Sequence, residues 1–217
     1  MIEFRNLHKS FDGFQVLRGV NLSVEEGETL ALLGPSGTGK SVLIKHAIGL
    51  LEPDEGDVIV DGISIAQASP RELRKVRKSI GYVFQNAALF DSLTVFDNVA
   101  YPLRENTDLP EEQVAEVVRE KLQFVDLDPD RVTKQLPSQL SGGMRKRVGV
   151  ARAIATDPCI ILYDEPTAGL DPLTVGTIND LIRKLQRELN VTSILVTHDI
   201  RAGFRVANRV NLLREGE

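Results

Sequence analysis

Two rhythms of apolar and polar positions run along this chain. Ile2 and Phe4 alternate with polar neighbours, as do Val20, Leu22 and Val24, and GDVIVDG at 56–62 is a third short run bounded by glycines. Period-two alternation predicts strands of an antiparallel sheet covered on one face. Four other runs, TLALLG (29–34), SIGYVF (79–84), CIILYD (159–164) and SILVTHD (193–199), are apolar without alternation. Short continuous runs of this kind predict strands buried on both faces, as in a parallel sheet flanked by helices.

Helical periodicity falls between the buried runs. SVLIKHAIGLL follows the first of them. SPRELRKVRK opens with Ser69, Pro70 and Glu72, a capping box with proline at the first helical position. PEEQVAEVVREKL puts Val114, Val117, Val118 and Leu122 on one face, and Asp171-Pro172 starts a helix with the stripe Ile178, Leu181, Ile182, Leu185 and Leu189. From about Ala87 to Ala155 there is no buried-strand run, which predicts a helical lobe inserted between two β-rich parts of one core.

Composition narrows the picture modestly. With 217 residues, 42% hydrophobic, the chain can bury one substantial core with a smaller lobe. Its net charge of −5 argues against general nucleic-acid binding, which relies on phosphate neutralisation. Cys159 stands alone, so no internal disulfide or zinc framework is expected, and its neighbours Ile160 and Ile161 predict a core thiol. MIEFRNLHKSF lacks the apolar centre of a signal peptide, and no run approaches the length of a membrane span, so a cytoplasmic chain is expected.

Chemistry concentrates at a few short motifs. GPSGTGKS, Gly34–Ser41, fits G-x-x-x-x-G-K-[ST] directly after a predicted buried strand and before an amphipathic helix. Its glycines let backbone N–H groups turn inward towards phosphate oxygens, with Lys40 reaching the β- and γ-phosphates and the Ser41 hydroxyl available to Mg²⁺. CIILYDEP delivers Asp164 and Glu165 to the carboxyl end of another strand, where ligands of parallel sheets bind. Asp164 is then a metal candidate, and Glu165 a general base for an attacking water. LSGGMRKR, Leu140–Arg147, is odder: Arg145, Lys146 and Arg147 crowd the start of a helix, whose dipole disfavours cations. An anion in front of that helix would explain them, and solvent-facing side chains are the plain alternative.

Taken in order, these motifs resemble those of the ATP-binding cassette (ABC) ATPases, and the resemblance covers essentially the whole chain. LSGGM is similar to the signature motif, with Met144 where many members have glutamine. AGLDP (168–172) is similar to the D-loop, with Asp171 as its key residue; Gln85 in YVFQN resembles the Q-loop glutamine and His198 in LVTHD the switch histidine. Phe11 stands where an aromatic A-loop residue stacks on adenine. Taken singly, Gln85 reads as a strand-end polar residue, His198 as an interior histidine and Phe11 as core.

The resemblance implies an α/β fold: a P-loop NTPase core with a mixed sheet flanked by helices, an N-terminal antiparallel β subdomain and an inserted helical subdomain. Residues 1–217 then form one nucleotide-binding domain, with 1–86 and 156–217 as the β-rich catalytic core and 87–155 as the helical insertion. It implies ATP and Mg²⁺ as ligands. Phe11, Gly34, Pro35, Ser36, Gly37, Thr38, Gly39, Lys40, Ser41 and Val42 would bind nucleotide; Ser41, Gln85 and Asp164 the metal; Glu165, His198 and Lys40 would carry catalysis. Two copies would associate head to tail with ATP, so that Ser141, Gly142, Gly143 and Met144 of one face the γ-phosphate held by the other.

Finer similarity points to transport. GKSVLIKHAIGLLEPDEGDVIVDG and VFQNAALFDSLTVFDNVAYPLRE, with LSGGM, resemble the ATPases of Mla-type, MCE-associated phospholipid-trafficking systems. That likeness implies a hydrophobic substrate, integral-membrane permease subunits, an MCE-type lipid-binding protein, no nucleic acid, and a peripheral place on the cytoplasmic face of the inner membrane. Residues around Ala88–Tyr101 would form the groove that receives a permease helix. The alternative is a soluble ABC ATPase of a cytosolic assembly, such as cluster assembly, without a permease. Members commonly continue past NLLREGE through another strand and a short helix, a tail that would support dimerisation or bind a small accessory subunit; a truncated chain and a short natural form are both open readings.

Overall fold

The alternating runs pair as a hairpin and its extension in a computed structural model that describes residues 1–217. Strand β1 (Ile2–Phe11) meets β2 (Phe14–Val24) antiparallel across Asp12-Gly13. Both turn residues have positive φ, 49° and 80°, the conformation that makes Asp-Gly a favoured two-residue hairpin turn. Strand β3 (Thr29–Leu33) leaves for a second sheet, and β4 (Glu55–Val60) and the two-residue β5 (Ile63–Ser64) complete the first in the order β2-β1-β4-β5.

The continuous apolar runs become β3, β6 (Ile80–Val83), β7 (Ile160–Asp164) and β8 (Thr192–Thr197). With β9 (Arg209–Leu212) they form a parallel sheet in the order β6-β7-β8-β3-β9. Parallel and antiparallel strands thus segregate into two sheets rather than sharing one. Continuity of the apolar runs has a direct cause: successive side chains of a strand point to opposite faces, and both faces are covered. Ile161 and Tyr163 enter one core with the helices around them, whereas Ile160 and Leu162 enter a second core shared with the antiparallel sheet.

Eight α-helices surround the sheets: α1 (Lys40–Ala47), α2 (Pro70–Ser79), α3 (Val95–Asn106), α4 (Glu111–Phe124), α5 (Pro129–Val132), α6 (Gly142–Ala153), α7 (Pro172–Leu189) and α8 (Ile200–Val206). A 3-10 turn over Pro137–Gln139 leads into α6. The capping box at Ser69 and Glu72 forms with both of its hydrogen bonds. Val114, Val118 and Leu122 are fully buried on α4, with Val117 packed at the edge of the same core.

Several expectations need correction. The apolar run after the cradle does not stay helical to Leu51; α1 ends at Ala47, and Gly49 then takes a left-handed φ of 61°, a glycine helix terminator. Leu189 is exposed rather than part of the α7 stripe, because Asn190 at φ 49° ends the helix there. Cys159 is exposed, not a core thiol: it precedes the first residue of β7 and lies 3.6 Å from the Ser79 carbonyl oxygen, while Ile160 and Ile161 are buried. β9 and α8 had no sequence signal. β9 is a half-exposed edge strand, and α8 has seven residues, too few for a period to register.

Candidate active site

The carboxyl ends of four neighbouring parallel strands deliver the motif residues to one edge of the sheet. β3 runs into Gly34–Ser41, β6 towards Gln85, β7 into Asp164 and Glu165, and β8 into His198. Open parallel sheets bind ligands at this edge. A cleft of about 340 Å³ there is lined by Phe11, Val16, Ser36, Gly37, Gly39, Lys40, Ser41, Val42, Gln85 and Glu165. Phe11, at the tip of the first hairpin, is 40% exposed rather than spent in a core, with the Lys9 ammonium 5.5 Å from its ring centroid. Val16 joins it on the cleft wall and had no distinguishing signal in the sequence.

Backbone geometry explains the glycines of the cradle. Gly39 sits at φ 99°, and a Cβ there would lie 2.9 Å from the Leu17 side chain. At Gly34 a Cβ would stand 2.4 Å from the Leu213 carbonyl oxygen, so the segment after β9 presses directly on the loop. The Thr38 hydroxyl donates to the Pro35 carbonyl at 2.9 Å, closing the turn. Lys40, 5% exposed, folds over the loop and donates to the carbonyls of Gly34 and Pro35, both at 2.8 Å. Burial pushes its ammonium below the ordinary lysine range, and the carboxylates of Glu165 and Asp164 oppose that shift.

The acidic pair divides its work geometrically. Asp164 accepts the Ser41 hydroxyl on Oδ1 at 2.5 Å and the Tyr82 hydroxyl on Oδ2 at 3.0 Å. Glu165 stands 4.0 Å from the Lys40 Nζ through Oε1 and 2.9 Å from His198 Nδ1 through Oε2. Its backbone is in the left-handed region, φ 49°, with its N–H donating to the Val196 carbonyl at 3.0 Å. A non-glycine residue held in that region is unusual and turns the carboxylate away from the strand direction. No cluster of three His, Cys, Asp or Glu side chains could hold a metal by itself. The Ser41 hydroxyl and the Asp164 carboxylate are hard oxygen donors, too few for a complete shell; such a set suits Mg²⁺, which is bound by one or two protein oxygens together with waters and phosphate oxygens.

Ser141, Gly142, Gly143 and Met144 lie apart from the cleft lining. Ser141 caps α6, accepting the Met144 N–H at 3.2 Å. Gly143 packs so closely on α7 that a Cβ would be 2.6 Å from the Thr174 methyl, and a Cβ on Gly142 would touch Leu170 at 3.5 Å. Asp171 caps α7, accepting the N–H groups of Leu173 and Thr174 at 3.0 and 3.1 Å. The Thr174 hydroxyl and backbone hold its carboxyl below the usual aspartate value. The signature and D-loop sequences therefore meet within the chain as one surface.

The three cations of LSGGMRKR do not simply face solvent; each donates to a backbone carbonyl. Arg145 donates to the Leu140 carbonyl at 2.6 Å and Arg147 to the Asp126 carbonyl at 3.1 Å. Lys146 is buried and donates to the carbonyl of Gln85, tying α6 to the segment that follows β6. Burial lowers its pKa, opposed by the nearby charge of Glu165. Tyr82 and Lys146 are the two site partners that sequence reading missed; only their positions near YVFQ and LSGGM hinted at proximity.

Comparison with known proteins gives a consistent picture. The sequence profile described as ABC transporter matches residues 17–168. The "Probable ribonucleotide transport ATP-binding protein mkl" of Mycobacterium leprae is 43% identical over 98% of this chain and 60% of its own length. The chain thus spans little more than half of that relative. The "Intermembrane phospholipid transport system ATP-binding protein MlaF" of Haemophilus influenzae is 42% identical over 99% of this chain and 81% of its own length. Among solved structures, a dimeric ATP-binding cassette in a post-hydrolysis state with ADP and phosphate superposes with a TM-score of 0.91 at 36% identity, covering 100% of this chain and 95% of that one.

Proposed function

The chain belongs to the ABC transporter family of ATP-binding proteins, and from that premise we propose that it is an Mg²⁺-dependent ATPase, the motor subunit of a transporter whose substrate path lies in a separate membrane permease. The observation that carries this reading is the convergence of Phe11, Lys40, Ser41, Gln85 and Glu165 on one cleft at the carboxyl edge of a parallel sheet.

In this reading the adenine rests on Phe11 and the phosphates fill the curl of 34–42, met by inward N–H groups. Lys40 exchanges the Gly34 and Pro35 carbonyls, which now hold its ammonium, for β- and γ-phosphate oxygens. Ser41, Asp164 and Gln85 would hold Mg²⁺, which would supply charge neutralisation at the phosphate oxygens. Glu165, oriented by His198, accepts a proton from the attacking water as the new oxygen–phosphorus bond forms and the bond from the γ-phosphorus to the bridging oxygen breaks, leaving ADP and phosphate. Ser141, Gly142, Gly143 and Met144 of a second copy close on the γ-phosphate from the other side, with Asp171 at the seam. The dimeric neighbour with ADP and phosphate supports a paired arrangement of this kind.

A second cleft, about 430 Å³, lies between β6, α3 and α6 and includes Tyr82, Phe84, Ala88, Phe90 and Tyr101. Phe90 and Tyr101 are each 43% exposed with ring centroids 4.9 Å apart, an aromatic pair open to a partner. We assign it to a short permease helix, with the chain peripheral on the cytoplasmic face of the membrane; no helix of the chain is long and apolar enough to cross one. Phospholipid or another hydrophobic substrate, with an MCE-type protein, is the cargo we favour, on the likeness to MlaF and the 83–105 segment. The mycobacterial relative's name gives a different cargo, as expected if the permease rather than the ATPase selects it.

An affinity pull-down tests this proposal. Tagged Glu165→Gln chain, recovered from detergent-solubilised native membranes with ATP and Mg²⁺, should bring a multi-span permease, an MCE-type protein and phospholipid, identified by mass spectrometry. Nucleotide-loaded bait with only soluble partners would overturn the transport assignment.

A further inference from the structure

Between the aromatic groove and the nucleotide cleft stands one side chain that belongs to both neighbourhoods. Tyr82 lines the groove, its ring centroid 4.4 Å from that of Phe84, and its hydroxyl reaches Asp164 Oδ2 at 3.0 Å. Strand register makes the reach possible: Tyr82 pairs with Leu162 on the adjacent β7, so Asp164 lies one strand over and two residues ahead, with its side chain on the same face as Leu162. The hydrogen bond has one direction, since a carboxylate only accepts. The other carboxylate oxygen is thereby left to the Ser41 hydroxyl, at the position assigned to the metal.

We propose that Tyr82 is a positioning residue that fixes the Asp164 carboxylate for Mg²⁺ and links occupancy of the aromatic groove to the metal position. This rests on the assignment of the cleft to Mg²⁺ and ATP, and it adds a path between groove and metal through one side chain. A groove ligand that shifts the Tyr82 ring against Phe84 changes the reach of its hydroxyl, which rotates Asp164. Outer partners of metal ligands commonly change metal affinity about 10- to 100-fold when removed.

The test titrates Mn²⁺, a spectroscopic stand-in for Mg²⁺, into wild-type and Tyr82→Phe chains with a non-hydrolysed ATP analogue, reading free Mn²⁺ by electron paramagnetic resonance. Tyr82→Phe keeps the ring and the groove wall, and unchanged thermal melting shows that the variant is folded. We expect Mn²⁺ affinity to fall about 10-fold while analogue affinity in chelator stays the same. Equal Mn²⁺ affinity in the two chains overturns the positioning role. A parallel fall in metal-free analogue affinity overturns it as well, since the hydroxyl would then be supporting the cradle at large. If the wild-type chain binds neither analogue nor Mn²⁺, the underlying reading fails first. The groove link is read by ¹⁹F resonance of chain labelled with fluorotyrosine, in which there are three tyrosines and Tyr82 is identified by its loss in Tyr82→Phe. Its signal should move both on addition of Mg²⁺ with the analogue and on Phe90→Ala; a signal that answers to only one of them overturns the link.

Discussion

Glu165 is held in a left-handed backbone conformation, at φ 49°, between the Lys40 ammonium and the His198 ring. Such a conformation costs on the order of 1–3 kcal/mol and persists where surrounding structure enforces it, here the hydrogen bond from its N–H to Val196. Glu165→Gln keeps the shape and removes the base, so ATP binding should survive while steady-state phosphate release falls about 10²- to 10⁴-fold. Turnover within a few-fold of wild type would take the proton-accepting role away from Glu165. Lys146 gives a second residue-scale prediction. Lys146→Met keeps an apolar stem of similar reach but leaves the Gln85 carbonyl without its donor, at a cost of about 1–3 kcal/mol in denaturant unfolding. An unchanged midpoint would mean the tie contributes nothing. The cradle was legible in the sequence because phosphate-binding loops demand glycines and one lysine at fixed spacing. The contacts of Tyr82 and Lys146 were not: their partners lie 82 and 61 positions away and meet only through the sheet.

Among the elements, the buried strands were the most legible, since covering both faces forces an unbroken apolar run. β9 illustrates the opposite. Arg-Val-Asn-Leu is an edge strand whose place is set by backbone pairing with β3 and by Arg209 reaching Glu28 at 2.6 Å, neither of which leaves an apolar pattern. The Arg209 guanidinium holds the Glu28 carboxyl below its usual value of 4.5. A depressed folded-state value means stability that is present above the unfolded value and lost as pH falls through the folded one. Glu28→Gln should therefore lower the thermal midpoint at pH 7, by about 1.5–3 kcal/mol in stability, and the gap to wild type should close at pH values below the folded Glu28 value. A gap of equal size at both ends would assign the loss to packing instead. At Gly81 the constraint is steric: a Cβ would lie 2.4 Å from the Ala153 carbonyl oxygen, so Gly81→Ala should force β6 from α6 and destabilise the fold, measured by denaturant midpoint.

For the molecule as a whole, two hydrophobic cores share the parallel sheet: one joins it to α3, α4, α6 and α7, and the other joins it to the antiparallel sheet and α1. The cleft formed by Gly34–Ser41 and the surface formed by Ser141 and Asp171 are separate features of a single chain, and neither has the other's groups within its lining. Hydrolysis in this account is consequently a property of two chains. Sequence spacing suggested that organisation only through family likeness, because a contact between copies has no register within one chain. The most direct test is the mass of Glu165→Gln in solution by light scattering, with saturating ATP and Mg²⁺ and then with ADP. The account predicts a doubling of mass with ATP and return to the single-chain mass with ADP. A single-chain mass with ATP demonstrably bound, or a dimer indifferent to nucleotide, would contradict it.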